Sequence, residues 1–111
     1  MPRFVVLEHD WPVPHLDLFL EAGDALQAWR LPADFSPETQ SVIYPNTPHR
    51  LHYLDYEGAV SGDRGSVKRW DIGSYEWCDH ARTALFYGRK LLGLFTWQQN
   101  RLGNWTFGCV T

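Results

Sequence analysis

The chain has 111 residues, of which 44% are hydrophobic and 15% aromatic, with a formal net charge of −3. This length and composition indicate one globular domain over residues 1–111, and the weakly acidic balance excludes an overall basic surface for nucleic acid. The two cysteines lie far apart in no CxxC pattern, which excludes a disulfide scaffold or a Cys-based zinc site. No apolar run reaches membrane-spanning length, and the N-terminal MPRFVVLEH does not match a signal peptide. We therefore expect a cytoplasmic protein without a membrane partner.

Alternating apolar residues predict four strands in the first half of the chain. The first two cover residues 3–8 and 15–21 and are joined by a tight connection, WPVP. A turn over residues 21–24, which contains Gly23, leads into a third strand over residues 25–31. The segment PADFSPETQ predicts a loop, and a short fourth strand over residues 41–44 is expected to end at Pro45.

The second half is predicted to contain shorter strands separated by turns. Residues 46–48 turn the chain, and irregular structure is expected to lead into a strand near Tyr56. Further strands are predicted over residues 66–71, 73–77, 84–87, 90–98 and 105–110, with a break at Ile72-Gly73 and one helical turn over residues 79–83. Such short strands at close spacing predict a mainly all-β fold, a small closed or nearly closed antiparallel β-barrel with at most short helical turns.

One face of the second predicted strand carries a candidate metal site. Leucines at positions 16, 18 and 20 alternate with His15, Asp17, Phe19 and Glu21, so an imidazole and a carboxylate share the other face. Because His9 closes the preceding apolar run, two neighbouring strand ends can bring two imidazoles and one carboxylate together. That ligand set suits Mn, Zn, Fe or Ni. The alternative is a surface histidine and an exposed strand carboxylate with no metal.

Phe19 and Glu21 continue the ligand-bearing face. A phenyl ring there can stack on a base or sugar, or it can simply cap the mouth of the barrel, which is the interpretation we favour. An arginine at position 19 would be tolerated at an open mouth and destabilising in a core. Glu21 is either a carboxylate that orients a histidine or a solvent-exposed residue.

Four blocks of sequence, in order across nearly the whole chain, carry a resemblance to a known family: MPRFVVLEHDWPVPHLDLFLE, PHRLHYLDYEG, VKRWDIGSYE and GRKLLGLFTWQQNRLGNWTFGCV. In these blocks the chain resembles the 3′-phosphoesterase domain of bacterial DNA ligase D and its stand-alone relatives. The resemblance implies metal-dependent removal of phosphates or ribonucleotides from nucleic-acid 3′ ends in DNA end repair, with a DNA ligase or other repair protein as a partner.

The resemblance also implies roles for individual residues. His9, His15 and Asp17 fall on the family's metal ligands, with manganese the expected ion and zinc or another transition metal the alternative. His49 falls on a histidine that engages the scissile phosphate, and Tyr53 falls on a tyrosine that assists it.

The chain also departs from the family pattern. Phe19 stands where the family has an arginine, and a second family arginine is replaced near Ser41. An arginine grips phosphate through two parallel hydrogen bonds, so activity depends on a replacement. The nearest candidates are Arg64, Lys68, Arg69 and Arg82. Two other functions use the same residues. One is a catalytically weakened or inactive barrel that binds metal or nucleic acid, and the other is a non-haem iron enzyme with a His15, Asp17 and His49 triad.

Overall fold

Nine β-strands account for most of the residues that the computed structural model describes, which are 1–78 and 82–110. A single 3₁₀ turn in this part of the chain, Leu51–Leu54, follows the fourth strand. None of the described residues forms a helix that is long and apolar enough to cross a membrane. The strands are β1 Arg3–His9, β2 His15–Ala22, β3 Ala25–Pro32, β4 Ser41–His49, β5 Gly58–Ala59, β6 Ser66–Trp77, β7 Thr83–Tyr87, β8 Leu92–Gln99 and β9 Trp105–Cys109.

The strands close into an antiparallel barrel. Neighbours around the barrel run β1-β2-β3-β4-β9-β8-β7-β6, and β1 also pairs with β6, which completes the ring. The two-residue strand β5 adds to β6. Closure leaves the main strands without the long unpaired edges of an open sheet. The predicted closed antiparallel barrel is confirmed.

Apolar residues occupy alternate positions along the strands, and those that point inward form the core of the barrel. The leucines of β2 point inward, and together with Phe86 and Phe107 from the opposite wall they belong to one buried cluster. Aromatic rings fill much of this space; Phe86 and Phe107, for example, lie 6.0 Å apart in an edge-to-face arrangement. The interior is therefore a packed core, and no functional side chain of β2 points into it.

A second apolar cluster lies on the outer face of β1, β2 and β3. The 3₁₀ turn covers it and contributes Leu54, while the sheet contributes Phe19 among other residues. Two contacts hold this cover in place: the Arg3 guanidinium donates to Asp55 at 2.7 Å, and the backbone N–H of Arg69 donates to Glu57 at 2.8 Å. The outer cluster therefore lies on the same face of β2 as Asp17.

Three details differ from the sequence-based expectations. β4 does not end at Pro45 but continues to His49, because β9 pairs only with its first residues and the rest of β4 is an edge where proline is tolerated. β6 runs without a break through Gly73, where the lack of a side chain admits the backbone of Tyr87. The segment after β4 forms the 3₁₀ turn instead of irregular structure. Most of the helical turn predicted over residues 79–83 lies outside the described residues.

Candidate metal centre and adjoining cavity

The first hairpin brings His9, His15 and Asp17 together at one end of the barrel. His9 is the last residue of β1 and pairs directly with His15, the first residue of β2, with Asp17 two residues further along the same face. One ligand atom from each residue lies within 4.8 Å of the other two. His15 and Asp17 are buried and His9 is half-buried. The predicted convergence of these three side chains is present in the structure.

Backbone carbonyls fix the orientation of both imidazoles. Nδ1 of His15 donates to the carbonyl of Val13 at 2.8 Å, and Nε2 of His9 donates to the carbonyl of Arg64 at 2.9 Å. In a neutral ring the remaining nitrogen then carries a lone pair. Those nitrogens face Oδ2 of Asp17, at 3.2 Å for His15 and 3.5 Å for His9. Protein metal sites use the same arrangement, in which the second ring nitrogen of each ligand is held by a carbonyl.

The three facing atoms fit a metal ion. Two imidazole lone pairs and a carboxylate oxygen repel one another in a buried place unless a cation lies between them. Two ligands held about 2.1 Å from one ion at an angle of 90–110° are about 3.0–3.4 Å apart, which is close to the 3.2 and 3.5 Å that separate the two imidazoles from Oδ2 of Asp17. A proton on one imidazole nitrogen can form a hydrogen bond to Oδ2 of Asp17, but it leaves the other imidazole lone pair facing the carboxylate. A divalent ion can bind both nitrogens and the carboxylate oxygen.

The start of β6 supports this end of the site. Asp10 follows His9 and accepts the backbone N–H of Ser66 at 2.8 Å, and that hydrogen bond holds the pKa of the Asp10 carboxyl below its usual value. Gly65 precedes Ser66 with φ of +73°, and a side chain there would overlap Asp10 and Trp11. The hydrogen bond between Ser66 and Asp10 therefore joins the loop after β1 to the start of β6. Arg64, whose carbonyl accepts from His9, lies two residues before Ser66.

A cavity of about 190 Å³ opens beside His9 and Asp17. It lies on the outer face of the barrel, between β2 and β3 on one side and the segment after β4 on the other. A wider recess of about 370 Å³ also reaches His9 and His15, but Asp17 does not line it. Side chains that line the smaller cavity include His9, Asp17, Phe19, Arg30, Asn46, His49, Tyr53 and Arg64.

Comparison with known proteins identifies the family. The family model described as the DNA ligase D 3′-phosphoesterase domain matches residues 7–104. The chain belongs to this family. No curated protein sequence matches the chain.

His49 and Tyr53, which the 3′-phosphoesterase resemblance singled out, line the same cavity as His9 and Asp17. Nδ1 of His49 donates to the carbonyl of Thr47 at 2.7 Å, which leaves Nε2 without a bond to the described residues. The ring of His49 lies 4.8 Å from the ring of Phe19 and 6.0 Å from that of Tyr53. The alternative iron triad grouped His49 with His15 and Asp17, but the structure puts His9 in that place.

Phe19 does not cap an open barrel mouth. Its side chain is 2% exposed and belongs to the outer apolar cluster, with one edge at the cavity. The reason is that the 3₁₀ turn covers the outer face of β2, so this position is buried although it points away from the barrel interior. At the position where the resemblance implies an arginine, this chain has an apolar ring that lies 4.8 Å from the ring of His49 and 6.0 Å from that of Tyr53.

Glu21 and Arg64 make contacts that the sequence did not indicate. Glu21 lies at the far end of β2, where its carboxylate accepts the backbone N–H of Arg3 at 2.8 Å, and it is not among the described residues that line the cavity. The histidines are oriented by carbonyls instead. Arg64 lines the cavity, but its guanidinium donates to the carbonyl of Ser61 at 2.7 Å, while its own carbonyl holds His9.

Arg30 is a residue of the cavity that the sequence interpretation missed. It lies on β3 directly opposite Asp17 and is half-buried. Its Nε is buried without a hydrogen-bond partner among the described residues. Of the two positions that lack a family arginine, Phe19 is thus close to another arginine, and Ser41 lies at the start of β4 beside β9.

Proposed function

We propose that this protein is a divalent-metal-dependent phosphoesterase that removes a phosphate or a ribonucleotide from nucleic-acid 3′ ends. The observation that supports this most directly is the His9, His15 and Asp17 cluster, whose free ligand atoms face one point beside a cavity with basic side chains. The family assignment supplies the reaction class. The cluster supplies a place for the metal that this reaction needs.

The chain's own residues have separable roles in this proposal. His9, His15 and Asp17 would hold the ion, which would polarise a phosphate oxygen and neutralise charge in the transition state. His49 offers its unbonded Nε2 to the phosphate, as a hydrogen-bond or proton donor. Tyr53 supports His49 from the same wall of the cavity.

The donor set is compatible with several metals, and we propose manganese as the working ion. Two imidazoles and one carboxylate bind Mn²⁺, Zn²⁺ or Fe²⁺, and three protein ligands leave coordination positions for water and substrate. We further propose that the protein works in the cytoplasm on DNA 3′ ends, where a ligase or other repair protein uses the 3′-hydroxyl that it produces.

The test is 3′-end hydrolysis by metal-stripped protein to which single metals are returned, measured as phosphate release from the 3′-phosphate primer and as shortening of the 3′-ribonucleotide primer. The substrates are primers that end in a 3′-phosphate or a 3′-ribonucleotide, and a 3′-hydroxyl primer serves as the blank. With Mn²⁺ the wild type should release phosphate, and Asp17→Asn should lose at least roughly a hundredfold in rate. Glu76→Gln is the matched control, since it makes the same carboxylate-to-amide change at an exposed position. Glu76 lies near the C-terminal end of β6, whereas Ser66, which contacts Asp10, is the first residue of that strand.

His49→Ala separates metal binding from chemistry. Removing a general acid or hydrogen-bond donor should lower kcat by roughly 10²–10⁴-fold. The same variant should bind Mn²⁺ with unchanged affinity, because Nδ1 of His49 is held by Thr47 and the residue is not in the ligand cluster. Equal rates for wild type and Asp17→Asn would contradict the proposed role of the metal site.

A second candidate function is binding without cleavage. Phe19 favours it, because an apolar ring occupies the position of a family arginine beside the cavity. Under this alternative the wild type binds Mn²⁺ and a 3′-phosphate primer but releases no phosphate with any metal. The primer assay and a binding measurement on one sample decide between the two.

A further inference from the structure

Arg30 stands out among the described arginines because it lines the cavity and has a buried guanidinium nitrogen without a hydrogen-bond partner. The guanidinium of Arg3 pairs with Asp55, and that of Arg64 donates to Ser61. Within residues 1–78 and 82–110, no carboxylate lies within ion-pair distance of Arg30. Its Nε is also buried and has no acceptor among these residues. A buried donor without an acceptor is costly, so such a group is completed by something that the chain itself does not supply.

The barrel geometry directs Arg30 to the metal site. Its neighbours on β3, Trp29 and Leu31, belong to the interior cluster, so Arg30 points outward on the same face as Asp17. Cα pairing places Asp17 directly opposite Arg30 across β2 and β3. Nevertheless the two side chains do not form an ion pair, since Asp17 turns Oδ2 toward the two histidines.

The cavity presents complementary groups around one space. His49 contributes an Nε2 that is not bonded to the described residues, and His9 and Asp17 of the candidate metal cluster line the same cavity. Because arginine carries several N–H donors in a planar fork, it matches the oxygens of a phosphate group better than lysine does. Phe19 of β2 offers no hydrogen-bond donor to this cavity, whereas Arg30 lines the same cavity from β3.

We propose that Arg30 forms an anion subsite that takes the terminal phosphate monoester of the 3′ end beside the metal cluster. The subsite rests on the proposed function for its substrate, but its binding of phosphate does not depend on turnover. A terminal phosphate monoester and inorganic phosphate both present free oxygens to Arg30. Inorganic phosphate should bind the same subsite more weakly, because it lacks the rest of the primer.

The experiment measures binding with metal-free protein in EDTA, so that no hydrolysis occurs. Fluorescent single-stranded primers that end in 3′-phosphate or 3′-hydroxyl are titrated with wild type, Arg30→Gln, Arg30→Lys and Arg101→Gln. The last is a control for net charge, since Arg101 is exposed in the turn between β8 and β9. Circular dichroism verifies that each variant is folded, and inorganic phosphate competes in a separate titration.

Wild type and Arg101→Gln should prefer the 3′-phosphate primer, and Arg30→Gln should lose roughly tenfold to a hundredfold of that preference. Arg30→Lys should retain part of it. A folded Arg30→Gln with undiminished preference overturns the subsite, as does a wild type with no preference. A wild type that prefers 3′-phosphate through Arg30 but releases no phosphate with Mn²⁺ supports the subsite and contradicts the phosphoesterase proposal.

Discussion

An arginine at position 19 should be incompatible with this chain, even though the family pattern has one there. Phe19 is 2% exposed and packs in the outer cluster with Leu54 and other apolar side chains. The new guanidinium would have to leave that cluster and enter the cavity of about 190 Å³ that Arg30 already lines. Phe19→Arg therefore removes apolar contacts and also adds a second positive charge beside the first.

The magnitude follows from these two effects. Truncating a buried phenylalanine costs about 3–5 kcal/mol of unfolding free energy, and the methylenes of arginine recover only part of that loss. Two like charges that share one cavity are coupled by about 0.5–3 kcal/mol. We expect Phe19→Arg to lose about 3–5 kcal/mol, and we expect Arg30→Ala to restore about 1 kcal/mol or more of this in the double variant.

Urea unfolding of the four proteins of this cycle, in EDTA, measures the coupling. Phe19→Leu combined with Arg30→Ala is the control, because it changes packing without adding charge. Its coupling should be near zero. A Phe19→Arg protein as stable as wild type would refute the burial argument, and a cycle without coupling would refute the statement that positions 19 and 30 share one space.

Further outcomes test other parts of the structure. With Mn²⁺ at a hundredfold excess over its Kd, bound metal should stabilise the wild type by about 2.7 kcal/mol and raise Tm by about 10 °C, whereas Tm of His15→Ala should not respond. Asp71→Ala should lose about 3–5 kcal/mol in urea unfolding without changing Mn²⁺ affinity, because the buried Asp71 carboxylate accepts three backbone N–H groups of the turn after β7. The hydrogen bond from Arg3 holds the pKa of the Asp55 carboxyl below its usual value, so this contact should stabilise the fold above pH about 3.9 and be lost as the pH falls through the folded-state pKa. The urea midpoints of wild type and Asp55→Asn should therefore differ at pH 6 and converge at low pH.

Local patterns were sufficient to predict the first three strands and the convergence of His9, His15 and Asp17. Their apolar alternation predicts boundaries within a residue or two of β1, β2 and β3, and a tight connection after His9 necessarily places it near His15. The carbonyls of Val13 and Arg64 were not predictable, since every residue has a carbonyl and only the folded loops show which two face the imidazoles. The burial of Phe19 was missed for a similar reason: the covering 3₁₀ turn is distant in sequence.

Some residues in the family blocks serve the fold instead of the site. Asp71, in the block VKRWDIGSYE, organises the turn between β7 and β8, and the absence of a side chain at Gly88 lets that turn approach it. Glu57, in the block PHRLHYLDYEG, accepts the backbone N–H of Arg69 and so holds the cover segment against β6. A match in these blocks thus indicates that the barrel and its cover are formed, which is a precondition for the cavity but not evidence of catalysis.

The position of Arg30 opposite Asp17 follows from the hairpin pattern in the sequence, although Arg30 lies in none of the four family blocks. A two-residue turn between Ala22 and Ala25 pairs residues whose numbers add up to 47, and Asp17 and Arg30 satisfy this rule. The sequence contained the turn, its Gly23 and the alternation that points both side chains outward. Family blocks direct attention to positions where the pattern is kept or lost, and Arg30 lies outside them. Arg30 nevertheless lines the same cavity as Asp17 and Phe19, because hairpin register brings the outward side chains of β2 and β3 together.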